Sequence, residues 1–154
     1  MNRPTEPFRR EHAEIKKHLE HLNAELGKLT TASPEEQRAS MGHVVGFVRE
    51  HITPHAQWEE RVLYPAVDKR AASGANPFTA SMRYEHGIVA RWTDELAAMA
   101  SASPPDVTGF TRRADNLLGL IWAHFEEEEE VLLPILDRTM SKEDFDREIG
   151  AHGE

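Results

Sequence analysis

Apolar residues recur every three or four positions along most of the chain, which is the period of an α-helix. No stretch alternates convincingly between apolar and polar residues, as a half-buried strand would. The loops between the periodic stretches are short, so the pattern predicts an all-α fold, an antiparallel up-down-up-down four-helix bundle. The predicted helices run from about Glu6 to Leu29, from Pro34 to just before the A-S-G-A-N-P loop, from about Pro77 past Met99, and from about Val107 to Asp137.

Capping and breaking residues refine these boundaries. Ser33 is suited to the N-cap of the second helix, with a proline at the first helical position. S-K-E-D from Ser141 resembles a capping box and predicts a short C-terminal helix. Pro54 must kink or split the second helix, because a proline removes a backbone donor and crowds the preceding turn. Pro65 and Pro134 are expected to bend their helices in the same way.

The two halves of the predicted bundle repeat each other. R-R-E-H at residues 9–12 matches R-Y-E-H at residues 83–86. H-x-x-x-E-E-x-V-L-x-P at residues 55–65 recurs at residues 124–134. The first helix therefore corresponds to the third and the second to the fourth, which predicts a helical hairpin repeated about a pseudo-two-fold axis.

Polar residues lie within the predicted apolar stripes of all four helices, since residues four apart share one face. His55 shares its stripe with Glu59, Val48, Ile52 and Val62. His124 shares its stripe with Glu128, Leu117, Leu120, Ile121, Val131 and Ile135. The predicted inward-facing set is His12, His55, Glu59, His86, His124 and Glu128.

Two inward carboxylates need a positive charge between them, because a buried, unpaired carboxylate is costly or takes up a proton. The inward set contains no lysine or arginine. Imidazoles with carboxylates suit iron or manganese, and two carboxylates shared between helices indicate two metal ions. Zinc is less favoured, because structural zinc sites usually include thiolates and this chain has no cysteine. The competing interpretation is a metal-free interaction bundle with hydrogen-bonded core histidines.

The remaining histidines are assigned differently. His18, His21 and His152 are expected to be exposed or terminal, and His43 is not placed by the pattern. His51 lies one turn before His55 on the same side, and it is considered as a further ligand or as a packing residue.

Length, charge and cysteine content narrow the class of protein. With 154 residues, the chain is expected to form a single domain, with a core over about residues 7–138 and a tail over residues 139–154. Its net charge of −9 argues against nucleic acid or an anionic membrane as a partner. The lack of cysteine fits a reducing cytoplasm, and no apolar run suits a signal peptide or a membrane span. The expected localisation is cytoplasmic.

From about Phe8 to Asp137 the sequence resembles a hemerythrin-like, or HHE cation-binding, domain. The resemblance rests on the two E-H pairs and on both copies of H-x-x-x-E-E-x-x-L-x-P. It implies two non-haem irons, oxo- or hydroxo-bridged, with Glu59 and Glu128 as bridging ligands. The four histidines His12, His55, His86 and His124 would be terminal ligands. Family members bind dioxygen, sense oxygen, iron or redox state, handle nitric oxide, or decompose peroxide.

The sequence departs from oxygen-carrying hemerythrins at Ala90, where those proteins have a second histidine. Their last ligand pair is also spaced more widely than His124 and Glu128. Water, Glu127 or His51 would have to complete the coordination. We therefore expect the protein to bind or react with a small ligand, which could be dioxygen, hydrogen peroxide or nitric oxide. Peroxide or redox chemistry, including catalase-like activity, is favoured over reversible oxygen carriage. An iron- or redox-responsive sensing module without turnover is the alternative. The oligomeric state does not follow from the sequence.

Overall fold

The computed structural model describes residues 2–71 and 79–150, and every regular element within these ranges is helical. A 3₁₀ turn, Leu29–Thr31, follows the first helix. The α-helices are α1 (Glu6–Gly27), α2 (Pro34–Phe47), α3 (Thr53–Trp58), α4 (Tyr64–Ala71), α5 (Ala80–Ser101), α6 (Val107–Glu127), α7 (Leu133–Thr139) and α8 (Lys142–Glu148).

Three π-helical segments join several of these helices without a break. Val48–Ile52 joins α2 to α3, and Glu59–Leu63 joins α3 to α4, so residues 34–71 form one continuous helical rod, here called the second rod. Glu128–Leu132 joins α6 to α7, and residues 107–139 form the fourth rod. α1 contacts α2 and α6, and α5 contacts the same two helices, so the chain folds as a helical bundle. The alternating up-down direction remains a prediction from the short loops.

The predicted interruptions at proline take the form of π turns. Each π segment ends two residues before a proline, at Pro54, Pro65 and Pro134. A proline clashes with the carbonyl four residues earlier and cannot donate to it. A wider turn relieves the clash, and the bond from the N–H of Tyr64 to the carbonyl of Glu59 spans five residues. The helix therefore continues past each proline with one extra residue in the turn.

That extra residue corrects the predicted inward face within and after the π turns. Val131 was expected to face inward but is 48% exposed, whereas Leu132 is 1% exposed. The regular helical period used for the prediction does not include a π turn, so the true buried face lies one position later. The same shift separates the half-buried Val62 from the buried Leu63, and the half-buried Ile135 from the buried Leu136.

The capping predictions are confirmed. The hydroxyl of Ser33 accepts from the N–H of Glu36, and the Glu36 carboxylate accepts in return from the Ser33 N–H. Ser141 accepts from the N–H of Asp144 and starts α8. The predicted third-helix start at Pro77 lies outside the described residues. Within them, no helix is long and apolar enough to cross a membrane.

The predicted polar residues lie between two apolar clusters. In α1, His12 lies between Phe8 of one cluster and Leu19 of the other. In α5, His86 lies between Met82 and Val89 in the same way. The bundle therefore encloses a polar layer with an apolar core on each side of it.

Candidate metal centre

The structure brings all six predicted inward residues into one cluster. His12, His55, Glu59, His124 and Glu128 are at most 4% exposed, and the side chain of His86 is 11% exposed. The ligand atoms of His12, His55 and Glu59 lie within 4.8 Å of one another, and so do those of Glu59, His86 and His124. The two groups share Glu59, and each could hold a metal ion.

The imidazoles form two facing pairs. Nε2 of His12, on α1, lies 3.3 Å from Nε2 of His55, on the second rod. Nε2 of His86 lies 3.1 Å from Nε2 of His124, which pairs α5 with the fourth rod. Each pair thus combines one histidine of an E-H motif with one of an H-x-x-x-E-E motif.

Both glutamates reach from one imidazole pair to the other. Oε1 of Glu59 lies 3.4 Å from Nε2 of His55 and 3.6 Å from Nε2 of His86. Oε1 of Glu128 lies 2.9 Å from Nε2 of His124 and 3.9 Å from Nε2 of His12. Oε1 of each glutamate therefore lies at most 3.9 Å from an imidazole nitrogen of both pairs.

A second row of carboxylates holds the four imidazoles, and none of these carboxylates belongs to the inward-facing set predicted from the sequence. In each ring Nδ1 lies within hydrogen-bonding distance of a carboxylate, an arrangement that orients the ring and directs Nε2 at the centre. The pairs are His12 with Glu129 at 3.1 Å, His55 with Glu11 at 3.1 Å, His86 with Glu60 at 3.0 Å, and His124 with Glu85 at 2.7 Å.

The sequence repeat contains the signal for this second row. The glutamate of each E-H motif accepts from the histidine of its own half's H-x-x-x-E-E motif. The second glutamate of each E-E pair accepts from an E-H histidine: Glu60 from His86, and Glu129 from His12. Each half therefore supplies two imidazoles, one central carboxylate and two supporting carboxylates.

Tyr64 breaks the two-fold symmetry of the centre. Its buried hydroxyl donates to Oε2 of Glu59 at 3.3 Å and lies 3.2 Å from Nε2 of both His86 and His124. The repeat places Leu133 at the equivalent position of the other half, where the side chain has no polar atom. Burial, and then the charges of Glu59 and Glu128, raise the pKa of the phenol, so Tyr64 remains a neutral donor.

The pKa values of the two central carboxyl groups are shifted in opposite directions. Burial, and then the negative charge of Glu59, raise the pKa of Glu128 well above its usual range. Burial alone would also raise the pKa of Glu59, but His55, the Glu128 carboxyl and the other neighbouring histidines together outweigh burial and lower that pKa. Two carboxylates this close ionise together only when a cation compensates their charge.

The pKa values of two of the central histidines are shifted in opposite directions. Burial would lower the pKa of His124, but the carboxylates of Glu128 and Glu85 raise it to about 10. Burial lowers the pKa of His12, which keeps that ring neutral and able to act as a ligand.

The donor set fits metal ions. Lone pairs that face each other across 3.1 Å and 3.3 Å repel unless a proton or a metal ion lies among them. Both carboxylate oxygens of Glu128 are buried, and Oε1 lies 2.9 Å from Nε2 of His124, so a proton or a metal ion must lie between these two atoms. Imidazole nitrogens and carboxylate oxygens without thiolates are the donors that iron and manganese accept readily.

Two candidates considered from sequence lie outside the centre. His51 is exposed and stacks on Phe47, with ring centroids 5.3 Å apart, so its interpretation as a ligand is wrong and the packing interpretation holds. Glu127 is exposed as well. His18 and His21 are exposed as predicted, and His43, also exposed, pairs with a glutamate of α1. His152 lies outside the described residues.

A cleft of about 320 Å³ leads to the centre between the second rod and α5. His55, Glu59, His86 and His124 reach its inner end, and Ala90 lies along its wall. The position at which oxygen carriers have a further histidine is therefore beside open space rather than packed against the core. A small ligand can approach the centre through this cleft.

The family model of the hemerythrin HHE cation-binding domain matches residues 3–136. The chain therefore belongs to that family, as its E-H and H-x-x-x-E-E motifs predicted. The searches of curated proteins and of solved structures found no significant match.

Proposed function

We propose that the chain is a non-haem diiron protein whose centre reacts with a small oxygen- or nitrogen-containing ligand. The observation that carries the proposal is the convergence of four imidazole nitrogens on two buried carboxylates that reach both imidazole pairs. His12 and His55 would hold one iron, and His86 and His124 the other. Glu59 and Glu128 would bridge them, with manganese and zinc as less favoured occupants.

The iron would supply reversible one-electron chemistry and an open position for a ligand. The protein's contribution is to hold that position in a buried polar layer between two apolar clusters. The second-row carboxylates orient the imidazoles, and metal ligands held in this way lose little affinity to ring motion. Tyr64 supplies a neutral O–H beside Glu59, His86 and His124, so a proton donor lies where a ligand would arrive.

Among possible ligands, we favour peroxide or redox chemistry over reversible oxygen carriage. Reversible carriage needs an iron whose other positions are filled, so that oxygen binds once and leaves intact. Ala90 contributes no ligand, and neither His51 nor Glu127 reaches the centre. The iron held by His86 and His124 would therefore have an accessible position facing the cleft. Such a site suits binding and consumption of hydrogen peroxide.

Metal-responsive sensing is the second candidate function. The six residues lie between the two apolar clusters and belong to four different helical rods. Ions held together by residues of α1, the second rod, α5 and the fourth rod would stabilise the whole bundle relative to the metal-free state. A partner that recognises only the loaded bundle could read that change.

Optical spectroscopy of the anaerobically loaded, reduced protein separates these functions. We expect rapid oxidation by dioxygen and consumption of hydrogen peroxide over many equivalents. A repeatedly reversible oxygen adduct with no peroxide consumption would exclude the redox function. Stoichiometric oxidation without turnover, with a large change in stability on loading, would favour sensing.

A further inference from the structure

The sequence repeat predicts two equivalent entrances to the centre, one on each side of the pseudo-two-fold axis. One lies between the second rod and α5, and its counterpart lies between the fourth rod and α1. The repeat aligns Ala90 with Lys16, and it aligns Thr53 with Trp122. The two entrances are therefore lined by side chains of very different size.

Large side chains cover the entrance beside α1. Nζ of Lys16 lies 2.6 Å from Glu126 and 3.2 Å from Glu129, and it lies 5.2 Å from the ring centroid of Trp122. The ring of Phe125 stacks on His12 at a centroid distance of 4.1 Å. His12 is fully buried behind these groups.

The entrance beside α5, here called the α5 cleft, has small residues at the equivalent positions. Thr53, Ala56, Gly87 and Ala90 line it, and both Gly87 and Ala90 are exposed. Most of the lining surface is apolar, and the polar side chains of Gln57, Glu60 and Arg83 line the cleft in addition to those of the centre. The apolar residues are Ile52, Val89, Ile121 and Phe125.

The size of the α5 cleft exceeds the requirement of a diatomic molecule or hydrogen peroxide. Its volume is about 320 Å³. A water molecule occupies about 30 Å³ in the liquid, and an apolar cavity of about 150 Å³ is large enough to bind benzene. Sites for small organic ligands begin at about 300 Å³. Binding of an apolar ligand to these walls is favourable, because it removes apolar surface from contact with water.

We propose that the α5 cleft binds the apolar body of a small organic ligand, about the size of a substituted benzene ring, and directs its hydroxyl or hydroperoxyl end at His86, His124 and Glu59. This inference rests on the proposed function and names the class of its ligand. Thr53, Ala56, Gly87 and Ala90 set the width that the ligand body can have.

Ligand-observed fluorine NMR with 4-fluorobenzyl alcohol tests the proposal on the metal-loaded full-length chain. This probe has a ring and a hydroxyl but no oxidising group. We expect saturable binding, and no comparable binding of 2-fluoroethanol, which has the hydroxyl without the ring. Ala90→Leu should weaken probe binding by about tenfold or more, because the added atoms fill the cleft.

Ala13→Leu is the matched control. Ala13 is an exposed residue of α1, and the repeat aligns it with Gly87 of the α5 cleft. This substitution should leave probe affinity within about twofold, a change of less than 0.5 kcal/mol. No saturable binding to the unmodified chain, or equal weakening by both variants, would overturn the proposal. Iron content is measured on the same samples. Two irons without probe binding contradict this inference alone, and probe binding without iron contradicts the diiron function alone.

Discussion

Nε2 of His86 faces Nε2 of His124 at 3.1 Å, although Nδ1 of each ring is already bonded to a carboxylate. The supporting carboxylates therefore determine which nitrogen is directed at the centre. When Nδ1 donates to its carboxylate, Nε2 is the nitrogen left to bind a metal ion, and any proton that Nε2 carries must leave before the ion binds. The same arrangement recurs at His12 and His55, which gives the centre its demand for cations.

Removing a supporting carboxylate should weaken metal binding without removing a ligand. Glu85→Ala leaves the Nδ1 of His124 without its acceptor at 2.7 Å. We expect metal affinity to fall about 10- to 100-fold, because the ring loses its fixed orientation and tautomer. Competition with a chelator of known affinity measures the change. Glu127→Ala, at an exposed position on the fourth rod, is the control, and an equal loss in both variants would refute the role of Glu85.

The bridging roles of the glutamates can be separated from the terminal roles of the histidines. Glu59→Ala and Glu128→Ala should each lower occupancy at both irons, because each carboxylate reaches both imidazole pairs. His12→Ala should affect mainly one iron. Mössbauer spectroscopy of iron-57-loaded protein resolves the two sites. Retention of both irons with unchanged parameters in the glutamate variants would rule out bridging.

Placing an imidazole at the α5 cleft should change the reactivity of the centre. Ala90→His should slow oxidation of the reduced protein by dioxygen and reduce peroxide consumption, since the new ring can occupy the accessible position on iron. Ala90→Leu narrows the same cleft without adding a ligand. A histidine-specific shift of the charge-transfer absorption separates coordination from obstruction. Identical rates and spectra in Ala90→His and the unmodified chain would contradict the interpretation of this position.

The π turn at Glu128–Leu132 changes which of two neighbouring side chains, Val131 or Leu132, is expected to contribute more to stability. Leu132→Ala should lower the free energy of unfolding by about 2–5 kcal/mol, because the removed atoms are buried in the apolar cluster beside the centre. Val131→Ala should change it by about 0.5 kcal/mol or less, since that side chain is largely exposed. Chemical denaturation of the metal-loaded variants measures both. The reverse order would show that the inward face follows the uninterrupted helix.

The positions of the six central residues could be predicted from sequence because His12 and His86 lie in uninterrupted α-helices and because no complete π turn separates the histidine from the central glutamate of either H-x-x-x-E-E motif. His124 and Glu128, for example, are one regular helical turn apart within the motif. Tyr64 lies about 180° from His55 in an uninterrupted helix, which would place it on the outer face. The extra residue of the intervening π turn brings it to the centre. Its role therefore could not be predicted from periodicity alone.

The supporting carboxylates were missed for a different reason. Glu60 and Glu129 follow the central glutamates directly, and they are only half-buried. When each helix position is assigned by periodicity either to the buried face or to the exposed face, half-buried residues of this kind are placed on the exposed face. Their function depends on the neighbouring rod, whose histidine approaches from the side. Pairing between rods is a tertiary property, and the sequence signals it only through the second glutamate that both copies of the motif contain.

The metal content of the protein after anaerobic iron loading and removal of loose metal tests the central claim most directly. The account predicts two irons per chain, bound within the cluster of His12, His55, Glu59, His86, His124 and Glu128. X-ray absorption at the iron edge should then show nitrogen and oxygen neighbours and a second iron close by, as bridging carboxylates require. A folded chain that retains one iron or none under these conditions would contradict the diiron account.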